Sequence, residues 1–322
     1  MTKTHEPLIK AIEAYLEKAD KDMIETLESE GRPDPEDSVE AINNIEEAAE
    51  DALTKQTSFL LKEIKKHKSL AALLAAGVLD DIFARDKSCD AIRKAMSKEL
   101  GVLIPKLTQS YVSVIDMDLK INAVSKKTLA WIDNWSADLA NMMKITTQDT
   151  LTNMIKKSFE AGKDISSLTL DIMNNGIRDE YYRARSVAVT EVMRAHNVAK
   201  QEAAIQNPCI TEKMWRHTGE HKNAPRENHV AMDGQRVPVD KPFTLVGMDG
   251  TTYYPMYPVD PLLPPEEAIN CHCLSQDIVD ENILGMPLEE RQRLQQEALE
   301  SMDAEWEQEM NERNKQKAGI NE

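Results

Sequence analysis

Proline divides this chain. None occurs between Glu36 and Ile104, whereas nine fall between Pro208 and Pro265. Because proline fixes φ and lacks an N–H, it interrupts helix interiors and central strands alike. The first stretch is therefore free to form long helices, and the second must be turn-rich with short strands. Glycine is also scarce over roughly the first 205 residues, where apolar positions recur at helical spacing: Ile9, Ile12 and Leu16, and again Leu60, Leu61 and Ile64. The segment "ESEGRPDPEDS" ends a first helix and opens a second, with Asp37 or Ser38 as its N-cap. Further helices are predicted around 38–67, 69–83, 87–100, 105–145, 147–161, 165–174 and 178–206, with "NNG" at Asn174–Gly176 as a stop.

After residue 207, "KMWRHTG", "QRVPVD", "FTLVG" and "TTYYPM" are short and β-prone, separated by the turn signals "DGQ" and "DGT". This reads as a loop-rich α+β unit ending near Glu281. From Pro287 the chain returns to charged helix, "LEERQRLQQEALESMDAEWEQEM", with few apolar residues, so it is expected to project or to dock on a partner. The expected fold is mainly α. An acidic helical region (1–129) precedes a domain over 130–281, with helices to 206 and the α+β unit over 207–281, and a charged helical tail (282–322) follows.

The 322 residues carry a net charge of −17, which favours solubility and opposes general affinity for nucleic-acid backbone. The first 51 residues hold 16 Asp/Glu against 5 Lys/Arg, either a solvated helical face or a binding surface. Four irregularly spaced cysteines do not make a disulfide framework. The start of the chain lacks the apolar stretch of a signal peptide, and "LAALLAAGVL" is too short to cross a bilayer. A soluble, cytoplasmically made protein without membrane contact is the expectation.

Two segments could carry chemistry. The helix "YYRARSVAVTEVMRAHNVAKQEA" puts Ala188, Val192, Ala195 and Ala199 on one face, while Glu191 and Arg194 can pair and Asn197 follows one turn on. This reads as an ordinary surface or interface network sooner than as a catalytic one. The stretch "HTGEHKNAPRENHVAMDGQRVP" gathers His217, Glu220, His221, Arg226, His229 and Asp233, suited to acid–base work or metal ligation. It does not match the helical His-Glu-x-x-His of zinc proteases, and no phosphate loop or nucleophile elbow occurs anywhere.

The closing "EEAINCHCLSQ" sets Cys271 and Cys273 on either side of His272. On a strand the two thiols share one face and His272 points away. They could complete a four-ligand zinc site with His229 and either His217 or His221, act as reactive thiols, or simply pack. A disulfide between them would be strained.

In order along the chain, these segments resemble the phage Mu F-type head morphogenesis family, the minor capsid proteins of tailed phages. The resemblance rests on Ala188, Thr190, Glu191, Val192, Ala195 and Asn197 of the helix, and on a strand around Trp215. It continues through Arg226, His229, Asp233 and Gly234 of "RENHVAMDGQ", then Pro258, Asn270, Cys271 and Cys273 of the closing loop. It covers roughly residues 130–280. The family commonly has arginine where this chain has Val189 and between the cysteines, where it has His272, a further potential ligand. The resemblance implies a minor head protein without an established catalytic reaction. Such a protein would associate with portal and with major capsid or scaffolding protein, move from host cytoplasm into the virion head, and contact DNA there. The competing reading is a zinc-dependent hydrolase using His229 and Asp233.

Overall fold

The computed structural model describes residues 6–218 and 224–317. Its helices are α1 (Glu6–Ser29), α2 (Pro35–Ile64), α3 (Leu70–Leu73), α4 (Val78–Arg85), α5 (Cys89–Ile115), α6 (Lys126–Glu160) and α7 (Ile165–Gln206). Beyond them come β1 (Ile210–Arg216), α8 (Glu227–Met232), β2 (Arg236–Pro238), β3 (Leu245–Val246), β4 (Thr252–Tyr253), α9 (Pro265–Ala268), β5 (Leu274–Val279), α10 (Glu281–Leu284) and α11 (Leu288–Lys317). The mainly α character with a small sheet-containing C-terminal region is as expected. Among the described residues, no helix is long and apolar enough to cross a membrane.

The chain divides into two compact units that cut across the linear segments of the sequence reading. One comprises Met1–Ala41, Leu103–Thr128 and Thr190–Glu322, and the other Ile42–Val102 and Leu129–Val189. The second unit is helical. Its core joins Leu60 and Ile64 of α2, Leu70 and Leu73 of α3, and Ile82 and Phe83 of α4 to Leu151, Ile155, Leu168 and Ile172 of α6 and α7.

The first unit carries the sheet. Its strand order is β2-β1-β5, with both pairings antiparallel, and β3 and β4 form a separate two-stranded pair. Period-two alternation along β1 buries Lys213 and Trp215 on one face. Trp215 then packs with Phe243, Leu245, Val259, Leu263, Cys271 and Cys273. Gly234 takes φ +84° where the chain turns from α8 into β2, and its N–H reaches Trp215 O at 2.9 Å. That left-handed conformation suits glycine.

Several helix boundaries differ from the sequence reading, each for a local reason. α2 opens on Pro35, so Asp37 and Ser38 lie in its first turn, and Ser38 N–H bonds back to Asp34 O. The predicted helix over 105–145 is interrupted. Asp116 Oδ1 accepts the N–H groups of Asp118 and Leu119 and ends α5, and Ser125 Oγ then accepts Thr128 N–H to start α6.

The expected break between residues 100 and 105 and the expected stop at Asn174–Gly176 are instead traversed. α5 runs through Pro105, flanked by the buried Leu100, Leu103, Ile104 and Leu107. α7 runs through Gly176, with buried Leu168 and Ile172 before it and Ala184 and Ala188 after it. Interior glycine costs a helix only about 1 kcal/mol, which packing on both sides outweighs. The predicted helix 69–83 splits into α3 and α4, where Gly77 caps α4 at φ +80°.

The charged tail is held by its own chain. Arg291 of α11 forms a forked pair with Asp116, Nε to Oδ2 at 2.7 Å and Nη2 to Oδ1 at 3.2 Å. Further along, Asp303 accepts Lys126 N–H at 2.7 Å and Glu307 pairs with Lys126 Nζ at 2.6 Å. Few apolar residues were legible there because charge pairs, not a hydrophobic stripe, make these contacts.

Candidate functional site

The first unit brings together the C-terminal part of α7, the chain leaving α1, the helix α8 and the turn that precedes β5. Of the two readings, surface or interface network, the 190–206 stretch of α7 is the second: Thr190, Glu191, Arg194, His196 and Asn197 are all buried. Its polar side chains bond to a segment with little regular structure, where backbone groups need other partners. Arg194 pairs with Glu191 and donates from Nε to Val259 O at 2.8 Å. Asn197 Nδ2 donates to Met193 O at 3.1 Å and Cys273 O at 3.4 Å. Thr190 Oγ1 accepts Asn270 N–H at 3.3 Å, where Asn270 turns the chain with φ +56°. The network forms with valine, not arginine, at position 189.

The same turn is clasped from the N-terminal side. Arg32 Nη2 donates to His272 O at 2.7 Å, and its Nε pairs with Glu30 at 2.5 Å. Glu30 Oε1 in turn meets His272 Nδ1 at 2.7 Å. Burial opposes ionisation of Glu30, but hydrogen bonding from His272 and the charge of Arg32 outweigh it and hold its carboxyl below the ordinary range. His272 is therefore turned toward Glu30 and is not a further ligand beside the thiols.

On the opposite side of the turn, Cys271 and Cys273 face His229. Cys271 Sγ lies 3.5 Å and Cys273 Sγ 3.7 Å from His229 Nδ1. Both cysteines are free thiols. His229 Nε2 meets Glu267 Oε2 at 2.8 Å, and that carboxylate also accepts from Asn228 Nδ2 at 3.1 Å and Met248 N–H at 2.9 Å. Burial would raise the Glu267 pKa, yet these hydrogen bonds, that from Met248 largest among them, keep it lowered. An ionised Glu267 accepts from His229 Nε2–H and leaves Nδ1 facing the sulfurs; burial lowers the His229 pKa, but hydrogen bonding to Cys271 outweighs it and raises it. Trp215 stands edge-on to His229 with ring centroids 5.8 Å apart.

The site thus gathers His229, Cys271 and Cys273 as the sequence suggests, with Thr190, Asn197 and Asn270 around them and Trp215 beneath. Other candidates stand apart. Asp233 accepts the backbone N–H of His217 at 2.8 Å, and the carboxylate paired with His229 is that of Glu267. His217 does not join the His229, Cys271 and Cys273 group. Arg226 precedes α8 and donates to Ile269 O at 2.7 Å. Glu220 and His221 lie outside the described residues.

The sequence reading missed Glu267, Glu30, Arg32 and His196. Glu267 stands four residues before Cys271 in "PEEAINC", but nothing in the sequence tells it from Glu266. His196 bridges two elements: Nε2 lies 2.9 Å from Ser38 Oγ, and Nδ1 lies 2.9 Å from Tyr111 Oη. Ser38 gives its own proton to Asp34 O at 2.8 Å, so it accepts from Nε2–H and Tyr111 donates to Nδ1.

The sequence pattern of the "Phage Mu protein F like protein" family matches residues 149–276, the stretch that holds the α7 motif, His229 and both cysteines. The chain belongs to this family. The phage Mu F-like match links it to phage head morphogenesis. A second comparison finds "Uncharacterized protein YqbB" of Bacillus subtilis (strain 168), 30% identical over 312 residues that cover 94% of this chain and 100% of the relative. The likeness therefore extends well beyond the Mu F-like segment to both units. No solved structure matches.

Proposed function

We propose that this Mu F-like protein is a minor head protein that associates with the portal during procapsid assembly and accompanies DNA delivery. The observation that carries the reading is where the family's polar residues go. Thr190, Asn197 and Arg226 of the family pattern, with Arg194 beside them, all bond to the loop from Val259 to Cys273, so they hold its shape. A zinc-dependent hydrolase would need substrate to reach an open coordination position, and His229, Cys271 and Cys273 are buried. A structural assembly part needs only the shape.

The acidic helices supply the contact with other head proteins. Asp22, Glu25 and Glu28 are exposed on α1, while their net negative surroundings repel phosphate. Removing residues 1–51 would also remove Glu30, Arg32 and Ser38, so charge reversal tests the surface without dismantling the fold. Coexpressed with the portal protein of the same phage genome, the chain is expected to copurify. Asp22→Lys, Glu25→Lys and Glu28→Lys together should weaken that capture at unchanged thermal stability. Absence of the chain from purified heads, together with failure to copurify, would overturn the reading.

A further inference from the structure

We propose that His229, Cys271 and Cys273 form a structural zinc site, with His229 bound through Nδ1 and both cysteines bound as thiolates. Their ligand atoms lie within 4.8 Å of one another and all three residues are buried. Tetrahedral zinc with Zn–S of about 2.3 Å and Zn–N of about 2.0 Å separates an N ligand from an S ligand by about 3.5 Å. The two separations from Nδ1 are 3.5 and 3.7 Å. Both nitrogen–sulfur separations therefore match the edges of a zinc tetrahedron.

The orientation of the imidazole points the same way. Glu267 accepts at 2.8 Å from His229 Nε2, so Nδ1 is the nitrogen presented to the sulfurs. Both sulfurs converge on that one nitrogen, and a cation between them is shared by all three ligand atoms. On binding, each thiol releases its proton to solvent as its Zn–S bond forms. A carboxylate on the far nitrogen of a ligating histidine is the arrangement that orients imidazole toward a metal and raises its basicity.

Two thiolates with an imidazole select a thiophilic ion over magnesium or calcium. Three protein ligands come from the described residues. Burial makes the site structural: the ion ties α8 to the turn that leads into β5. This inference concerns the C-terminal fold alone and does not depend on the portal reading.

The test uses full-length protein purified without a metal-affinity tag from zinc-supplemented medium. Native mass spectrometry and elemental analysis should find one zinc per chain, and cobalt(II) exchanged into the site should show thiolate-to-metal charge-transfer absorption. Glu267→Gln should weaken zinc affinity about 10–100-fold in competition with a chromophoric chelator while retaining the ion's stoichiometry. The Cys271→Ser and Cys273→Ser variants should each lose the charge-transfer band or its intensity. Because those variants could fail to fold, thiol alkylation of the unaltered protein provides the second measurement. Cys271 and Cys273 should resist alkylation until a chelator is added, with half-buried Cys89 as the internal reference. Zinc-free protein that takes up no cobalt, or thiol reactivity unchanged by chelator, would overturn the proposal.

Discussion

Arg194 donates from Nε to the carbonyl oxygen of Val259 at 2.8 Å, and Val259 is a fully buried residue at φ +63°. A β-branched side chain rarely adopts that left-handed conformation, and it persists only where the surroundings hold it. Here the hold comes from a guanidinium that also pairs with buried Glu191. Arg194→Met should destabilise by about 3–5 kcal/mol, because it takes the guanidinium from a buried carboxylate as well as releasing the turn. Arg194→Met combined with Glu191→Gln should cost less than Arg194→Met alone, read from urea midpoints. A double variant as unstable as the sum of both singles would show that the pair is not coupled.

The forked pair between Arg291 and Asp116 anchors the start of α11. Arg291→Ala should cost about 1.5–3 kcal/mol, the range for hydrogen bonds to charged groups. Hydrogen exchange should accelerate across the first turns of α11 in that variant. Arg293, with side-chain exposure of 53%, pairs with Glu290 and Glu297 at the surface. Arg293→Ala should therefore shift stability by only about 0–1 kcal/mol. Equal effects at the two positions would contradict this assignment of the anchor.

Lys213 is buried on the inner face of β1, donating to Gln201 Oε1 at 2.9 Å and Met256 O at 2.7 Å. Burial pushes its pKa down from 10.5 to about 7, against the weaker pull of Asp240 and Asp260. Between those two values the unfolded chain binds more protons than the folded one, so stability should rise with pH. Urea midpoints at pH 7, 8 and 9 should increase for the unaltered protein and stay flatter for Lys213→Met. A variant with the same rise would place the titration elsewhere.

His196 has the same sign of shift at lower pH. Burial, reinforced by the charges of Arg32 and Lys200, holds its pKa well below 6.5 and keeps it neutral. Its contribution is complete above 6.5 and is lost progressively as pH falls below that value, because the unfolded imidazole protonates first. His196→Gln can still donate to Ser38 and accept from Tyr111. It should reduce the stability lost between pH 6.5 and pH 5, measured by thermal unfolding. An unchanged acid slope would exclude His196 as its source.

The long helices and the turn-rich C-terminal unit were legible because proline, glycine and apolar periodicity act locally. The convergence of the α7 motif with the Cys271–Cys273 turn was legible only through resemblance, since no spacing rule connects Asn197 to Cys273. Helix interruptions were misplaced where a side chain decides the matter. Asp116 ends α5 through two backbone N–H groups, whereas Pro105 and Gly176 are carried through by packing on both sides. His229 could be named from its chemistry, but its partner could not. Asp233 is four residues away in sequence and bonds the His217 N–H, while Glu267, 38 residues distant, supplies the carboxylate.

Arg32 reaches the carbonyl oxygen of His272 across 240 residues of chain, and Glu30 reaches the His272 ring across 242. During synthesis α1 must therefore wait until His272 has left the ribosome before these bonds can form. Contacts of such sequence separation slow folding, since loop closure precedes the reward. The intervening helical unit can assemble while translation continues. A fragment cut to the family-matched residues 149–276 would lack Glu30 and Arg32 altogether, leaving the turn that carries both cysteines without its N-terminal clasp.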